Sequence, residues 1–172
     1  MREIYEKVIT APSFTVTSSD LRNDQELKID QLGEKLGSNI SPELSWEGFN
    51  SQTKSFVITM YDNDAPTGSG FWHWVVYDIP ANITNLKRKA GSAPCELPKG
   101  AKMLKNDAGI PLYVGPSPIP KSGIHHYVIT VTALDIDHIE IDPNSTTPAM
   151  LGLMIASHTL GRARIIPIVT AK

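Results

Sequence analysis

The sequence SFVITMYDNDAPTGSGFWH, residues 55–73, contains two apolar runs with an acidic loop between them. The first run is rich in β-branched and aromatic residues, which predicts a strand. Asp62 and Asp64 follow this run directly, and Pro66 bounds the loop. His73 then opens the second run. This order of strand, acidic loop and strand sets two carboxylates and a histidine at the mouth of a sheet, where ligand sites are common.

A second histidine opens another predicted strand, HHYVITVTAL at residues 125–134. Its alternation places His125 and Tyr127 on one face, followed by apolar residues, and His126 on the other face. A loop rich in glycine and proline, GPSPIPKSG at 115–123, precedes the strand and has little conformational entropy to lose on ordering. We therefore expect this Gly-Pro loop to form a rigid wall beside the face that carries His125 and Tyr127.

The two histidine-bearing strands together predict a small anion site. If they lie side by side, the imidazoles of His73 and His125 converge with Asp62, and the Tyr127 hydroxyl adds a donor. Backbone N–H groups near Gly115 can add more donors, because glycine permits close approach. Phosphate beside Asp62 is repelled unless an imidazole is protonated or a donor bridges the carboxylate. We therefore expect anion binding that weakens as the pH rises through the histidine range.

Four other polar residues near these strands and the C-terminus are assigned structural roles. Asp64 is expected to cap a turn, since an aspartate side chain bonds its own backbone two residues on. His126 is expected to be polar surface, because it points away from the predicted site. His138 lies in a loop between acids, and His158 lies near a helix end, where a positive charge suits the helix dipole.

Composition favours one domain spanning residues 1–172, with a sizeable core. The net charge of −2 provides no basic field for nucleic acid and no polybasic membrane patch. No apolar stretch is long enough for a membrane span, and the N-terminus lacks the apolar core of a signal peptide. Cys95 is the single cysteine, so an intrachain disulfide is excluded. These features predict a cytoplasmic protein.

Prolines and glycines, thirteen and twelve in number, separate alternating apolar segments, which predicts a mainly β chain. The predicted strands are 14–17, 44–46, 55–61, 73–79, 125–134 and 164–169. One helix is predicted near the C-terminus, with Thr147 as N-cap, Pro148 as its first residue and Gly161 after its end. Residues 149–160 are apolar nearly all round, so this helix is buried against the sheet or forms a homodimer interface. Arg162 follows, where its charge suits the helix dipole.

Two segments have weaker patterns. Residues 31–36 predict a turn or a single helical turn, and the pattern is too brief to distinguish them. Residues 82–105 carry scattered glycine, proline and lysine between two strong strands. They predict a long surface crossing.

Four motifs, in order along the chain, are similar to those of a known family. They are Asp62-Asn63-Asp64-Ala65-Pro66, His73-Trp74-Val75-Val76, the loop that begins Gly115-Pro116, and His125-His126-Tyr127, with Asn39 and Ser41-Pro42 upstream. In these motifs the chain resembles the phosphatidylethanolamine-binding protein (PEBP) family, and in particular its bacterial and archaeal branch, called Raf-kinase-inhibitor-like. The resemblance implies a single-domain antiparallel β-sandwich with a few peripheral helices, including one near the C-terminus.

The resemblance also implies a function and a site. It implies a non-enzymatic protein that binds a small phosphate-bearing or other anionic ligand and modulates a protein kinase or a protease. The positions that match the family's pocket for a phosphoryl head group are Asp62, Pro66, His73, Gly115, Pro116, His125 and Tyr127. Three rim positions depart from the family pattern, with Asn63 for the usual proline, His126 for the usual arginine, and Ile119 interrupting a Pro-Pro pair. We also expect a cis Ala65–Pro66 bond, which rigid pocket loops often use.

Enzymatic interpretations remain as alternatives. A small hydrolase or lyase would use Asp62, His73 and His125, and the same three side chains would suit zinc. However, His-Glu-x-x-His is absent, and Pro66 stands where a haloacid-dehalogenase-type phosphatase needs threonine and a calcium loop needs a ligand. Ser122 has no dedicated base nearby in sequence. The chain is therefore expected not to be an enzyme and to need neither metal nor cofactor.

Overall fold

The computed structural model describes residues 11–172, which form nine strands, one α-helix and three short 3-10 helices. The strands are β1 (Thr15–Thr17), β2 (Leu44–Glu47), β3 (Ser55–Asp62), β4 (Phe71–Pro80), β5 (Asn85–Leu86), β6 (Lys102–Met103), β7 (Gly123–Leu134), β8 (Thr159–Ile165) and β9 (Ile168–Ala171). Helix α1 spans Pro148–Met154, and the 3-10 helices are Ile29–Gln31, Pro94–Glu96 and Ala156–His158. The expectation about a signal peptide falls on residues that lie outside the described range.

The larger sheet has the strand order β6-β4-β3-β7-β8, and β9 pairs with the first residues of β7. All of these neighbours are antiparallel. Strand β3 lies at the centre because its side chains are buried on both faces, as expected for an apolar run. The histidine-bearing strands β4 and β7 therefore flank β3 and do not pair with each other, so Asp62 of β3 lies between them.

The smaller sheet, with the order β1-β2-β5, packs on one face of the larger sheet. Trp46 and Leu86 of the smaller sheet are buried in one cluster with Phe56, Met60 and Trp74 of the larger sheet. The rings of Trp46 and Phe56 meet edge to face, with centroids 5.4 Å apart. The expected mainly β fold, with two antiparallel sheets in one domain, is confirmed.

Helix α1 and the loops around it cover the opposite face of the larger sheet. Leu151 and Ile155 are buried there against Val57, Tyr77 and other apolar side chains. The Thr147 hydroxyl accepts a hydrogen bond from the Met150 N–H at 3.2 Å, so the expected N-cap is confirmed. None of the helices within residues 11–172 is long and apolar enough to cross a membrane.

The helix is shorter than the sequence predicts. It ends at Met154, because the chain from Thr159 onward pairs with β7 as strand β8. Gly161 and Arg162 lie in that strand, so neither follows a helix end as expected. Leu151 is buried against the sheet whereas Leu153 is exposed, so α1 packs on the sheet through one face only.

The other predicted strands agree with the structure to within one or two residues, with one exception. Residues 164–169 belong to two strands, β8 and β9, which are separated at Ile166 and Pro167. Proline has no N–H for a continuous ladder, so a break there is expected. The stretch 82–105 is more than a surface crossing, because it contains β5 and β6 and buries Leu86, Ala90 and Met103.

Candidate functional site

The end of β3 meets the starts of β4 and β7 at one edge of the larger sheet, because both pairs are antiparallel. Asp62, the last residue of β3, lies opposite Phe71 on one side and Tyr127 on the other. His73 and His125 are each the third residue of their strand. The three polar side chains that the sequence singles out are therefore brought to the same edge.

A β-bulge in β4 determines the side on which His73 lies. Met60 pairs with Trp74 and Tyr61 with Trp72, so His73 has no partner on β3. Regular alternation would put His73 on the face opposite Trp74. The extra residue places both on the same face, and the His73 ring lies 5.3 Å from that of Tyr127, between centroids. Bulges commonly re-aim a side chain beside a functional site.

A cavity of about 540 Å³ opens at this edge of the sheet. Buried polar groups of Asp62, His73, His125 and Tyr127 form its floor. The other lining residues are Gly33, Glu34, Lys35, Asn39, Ala65, Pro66, Thr67, Phe71, Ile110, Val114, Gly115, Ser117, Pro118 and Ile119. Most of this lining is apolar, which is typical of a small-molecule site with a few convergent polar groups.

The Asp62 carboxylate is bridged by three donors. Its Oδ2 lies 2.8 Å from His125 Nδ1, and its Oδ1 accepts the Asp64 N–H at 2.9 Å. The Tyr127 hydroxyl also bonds to it. An anion is repelled by an aspartate unless donors bond to its carboxylate, and these three donors meet that condition. The turn expected of Asp64 is formed by the Asp62 side chain instead.

His125 continues this chain of hydrogen bonds to a serine. Its Nε2 lies 2.7 Å from Ser122 Oγ, and the Ser122 hydroxyl donates to the Ile119 carbonyl at 2.6 Å. Sequence reasoning finds no base for Ser122, yet the imidazole three residues on contacts it. The two residues are only three positions apart, but their side chains meet because of the conformation of the turn before β7, which the sequence pattern does not show.

His73 is held in one tautomer by the Gly-Pro side of the cavity. Its Nδ1–H donates to the Val114 carbonyl at 2.7 Å, which leaves Nε2 as the unprotonated nitrogen of the neutral ring. Burial lowers the pKa of His73 below its ordinary value, although the hydrogen bond to Val114 and the Asp62 charge oppose this shift. Burial likewise raises the pKa of the Tyr127 hydroxyl, so it stays protonated. A protonated His73 is therefore not favoured at neutral pH.

Six of the seven predicted site residues line the cavity, and Pro116 does not. Pro116 is buried, and its carbonyl accepts the Gly33 N–H at 2.8 Å. The Gly115 N–H donates to Asn39 Oδ1 at 2.7 Å, so this N–H is already bonded within the protein. Both groups instead fasten the Gly-Pro loop to the segment 29–39.

The glycine at position 115 is required by this packing. A Cβ on Gly115 would lie 2.3 Å from the Gln31 carbonyl oxygen and 2.7 Å from the Gly33 nitrogen. Both are backbone atoms that a side-chain rotation cannot move. The close approach expected of Gly115 therefore exists, but it is made to protein backbone.

The segment 29–39 is the part of the site that sequence reasoning missed. Gly33, Glu34 and Lys35 line the cavity, and Lys35 is the one lysine or arginine among its described lining residues. A weak signal existed in Asn39, which belongs to a family-like motif. Asn39 has a φ of 54°, in the left-handed region that asparagine tolerates better than most residues.

The remaining histidines form pairs with aspartates away from the cavity floor. Asp64 Oδ2 lies 2.7 Å from His126 Nδ1 and also accepts the His126 N–H at 2.8 Å. His138 lies 2.8 Å from the buried Asp78. His158 lies 2.9 Å from Asp135, which ties the 3-10 helix to the end of β7 and replaces the expected dipole role.

No cis peptide bond occurs within residues 11–172. The Ala65–Pro66 bond is therefore trans, and the cis expectation is wrong. The loop turns instead through two backbone N–H bonds. The Asp64 N–H donates to Asp62 Oδ1, and the Thr67 N–H donates to the Ala65 carbonyl at 2.8 Å.

Comparison with known proteins identifies clear relatives. A family model described as phosphatidylethanolamine-binding protein matches residues 17–169. The UPF0098 protein YbhB of Escherichia coli strain K12 is 42% identical over 151 residues, which cover 86% of this chain and 94% of that protein. The UPF0098 protein YbcL of the same strain is 39% identical over 94% of this chain and 90% of its own length.

Solved structures extend the comparison to the fold. E. coli YbcL, described as a member of the mammalian PEBP family, has a TM-score of 0.88 at 38% identity, covering 93% of this chain and 99% of that one. A carboxypeptidase Y inhibitor complexed with its cognate proteinase has a TM-score of 0.55 at 16% identity, covering 94% and 85%. The second comparison concerns the fold alone.

Proposed function

The chain belongs to the phosphatidylethanolamine-binding protein family, and on that premise we propose that its principal function is binding rather than catalysis. The proposed ligand is a small anion, in the first place a phosphate-bearing molecule, held in the cavity above Asp62, His73, His125 and Tyr127. The observation that carries this proposal is the buried polar floor beneath largely apolar walls.

Charge supports an anion despite the aspartate in the floor. Asp62 is saturated by the donors of His125, Tyr127 and Asp64, which offset its negative charge. Lys35 adds a positive charge at the mouth, beside the acidic Glu34. Burial lowers the pKa of His73, so any positive charge that His73 lends to anion binding is lost as the pH rises.

The test is a titration with inorganic phosphate and with O-phosphorylethanolamine, followed through the side-chain NMR signals of His73 and His125. We expect saturable shifts in the wild type and their loss in His125→Ala. Lys35→Gln should weaken binding by up to about fivefold, the upper size of an exposed ion pair, because Lys35 is exposed. Lys121→Gln is the matched control, because Lys121 lies in the Gly-Pro loop but does not line the cavity. Absence of any shift at millimolar ligand would remove the anion site.

Modulation of a protein kinase or a protease is a second part of this proposal, supported by the family resemblance. The carboxypeptidase Y inhibitor shares the fold, but at 16% identity it carries no residue-level argument. The test is to measure kinase and protease activities with the wild type and with His125→Ala, each with and without phosphate. Inhibition that requires the intact cavity would support this part, and no inhibition of any enzyme tested would remove it.

A further inference from the structure

A serine, a histidine and an aspartate form one continuous chain of hydrogen bonds at the edge of the cavity. Ser122 Oγ lies 2.7 Å from His125 Nε2, and His125 Nδ1 lies 2.8 Å from Asp62 Oδ2. The hydroxyl and the carboxylate therefore contact opposite nitrogens of one imidazole. This is the geometry of a Ser-His-Asp triad, which is recognised by roles and distances and not by sequence order.

We propose that Ser122 is a nucleophile toward small esters, with His125 as its general base and Asp62 as the residue that positions the imidazole. This inference goes beyond ligand binding and does not depend on the anion proposal. His125 and Asp62 line the same cavity, and Ser122 lies just outside its lining, bonded to the carbonyl of the lining residue Ile119. A small, largely apolar ester suits the apolar walls.

The burial of the three residues suits these roles. His125 and Asp62 are buried, whereas Ser122 is exposed. A buried imidazole and carboxylate interact strongly because water does not screen them. An exposed hydroxyl remains accessible to an incoming ester. The arrangement therefore protects the base and presents the nucleophile.

The backbone around Ser122 is unusual on both sides. Lys121 has a φ of 67° and Gly123 a φ of 96°, so the serine lies between two left-handed residues. A lysine in that region is uncommon, because its Cβ crowds the neighbouring backbone oxygen. The Ser122 N–H and hydroxyl both bond to the Ile119 carbonyl, which closes the turn. Strained turns that present a serine occur in known hydrolases.

The carboxylate determines which imidazole nitrogen is free to accept a proton. Because Nδ1–H of His125 donates to Asp62, Nε2 of the neutral ring carries the lone pair that faces Ser122. The Ser122 hydrogen then has two acceptors, the Ile119 carbonyl at 2.6 Å and His125 Nε2 at 2.7 Å. A small rotation of the hydroxyl transfers its hydrogen bond from the resting acceptor to the base.

The reaction balances with water as the only co-reactant. Ser122 Oγ attacks the ester carbonyl carbon while its proton moves to His125 Nε2. The bond from that carbon to the alcohol oxygen then breaks, and His125 returns the proton to the departing alkoxide. Water attacks the acyl-Ser122 carbonyl, its proton passes to His125, and the acyl–Oγ bond breaks as Oγ recovers that proton. The products are one acid and one alcohol.

The first experiment is labelling of the full chain with a fluorophosphonate, followed by mass spectrometry. We expect Ser122 to displace fluoride and become phosphonylated. Ser145 is the internal control, because its hydroxyl is exposed and bonds the Asp142 carboxylate at 2.8 Å, with no imidazole present. Labelling of Ser122 no faster than of Ser145 overturns the proposal.

The variants separate the three roles. His125→Gln should slow labelling about 100-fold, the usual contribution of a general base, and Ser122→Ala should abolish both labelling and hydrolysis of p-nitrophenyl butyrate. Hydrolysis that persists in Ser122→Ala overturns the proposal. Asp62→Asn should slow labelling and remove the downfield proton signal of His125 Nδ1–H while the circular dichroism spectrum stays native. Labelling of Ser122 without any phosphate binding would support the nucleophile and remove only the anion site.

Discussion

His73 illustrates how one extra residue in a strand controls a functional side chain. The bulge puts His73 and Trp74 on the same face, so the imidazole lies over the cavity while the indole fills the core. The Val114 carbonyl then fixes the ring, and burial lowers its pKa. His73 is therefore a neutral imidazole at the pH of most experiments, with one nitrogen free as an acceptor.

The neutral state of His73 predicts how stability depends on pH. Between its lowered pKa in the folded protein and its ordinary pKa of 6.5, His73 binds a proton mainly in the unfolded chain, so acidification favours unfolding. In His73→Asn the amide nitrogen can keep the bond to Val114 and does not titrate. We expect the variant to lose less free energy of unfolding between about pH 7 and pH 5 than the wild type. Urea denaturation at both pH values measures this, and equal losses in the two proteins would contradict it.

At the scale of elements, the cavity wall is made by two irregular segments fastened to each other. Two hydrogen bonds join the Gly-Pro loop to the segment 29–39. The Gly33 N–H donates to the Pro116 carbonyl, and the Gly115 N–H donates to the Asn39 side chain. The Tyr113 hydroxyl adds a third bond to the Gln31 carbonyl at 2.7 Å. Neither segment has regular structure over most of its length, so their mutual contacts determine the shape of the wall.

Two glycine substitutions, one in this wall and one in helix α1, should have opposite effects on stability. Gly115→Ala should destabilise the protein by about 3 kcal/mol, because the new methyl group meets backbone atoms of Gln31 and Gly33. Gly152→Ala should stabilise it by about 0.5 to 1 kcal/mol, because Gly152 lies inside α1 with nothing within 4 Å of a new Cβ. Thermal unfolding followed by circular dichroism measures both changes. A Gly115→Ala protein as stable as the wild type would show that the wall is not packed as described.

At the scale of the whole molecule, the larger sheet is covered on both faces. The smaller sheet packs on one face and α1 on the other, which explains why β3, β4 and β7 are almost wholly buried. The site lies at the edge where neither layer covers the strand ends. The layers therefore stabilise the sheet, and the loops that leave its edge form the cavity.

Two leucines of α1 test the role of the helix as a covering layer. Leu151 is fully buried against the sheet, whereas Leu153 is 70% exposed. Leu151→Ala should lower the free energy of unfolding by about 3 kcal/mol, since it leaves a cavity in the core. Leu153→Ala should change it by less than about 0.5 kcal/mol. Chemical denaturation of the two variants provides the comparison, and a large loss in Leu153→Ala would indicate that a second chain covers this face.

The sequence by itself determined the mainly β class, the strands that carry Asp62, His73 and His125, and the family resemblance. All three follow from local patterns. Alternation and β-branched content reflect how a strand is buried, and the family resemblance depends on short motifs with a fixed spacing. Thr147 was likewise identified as the N-cap, since capping depends on residues within one turn.

Only the tertiary structure decided how those elements meet. The bulge at His73, the central place of β3 and the bond from Ser122 to His125 depend on register and on a turn with two left-handed residues. The wall formed by segment 29–39 depends on contacts with residues about 80 positions away, such as the bond between Tyr113 and Gln31, 82 positions apart. The predicted length of the helix is too great, because pairing of β8 with β7 overrides local helix propensity after Met154. Long-range contacts of this kind leave no periodic pattern in a single sequence.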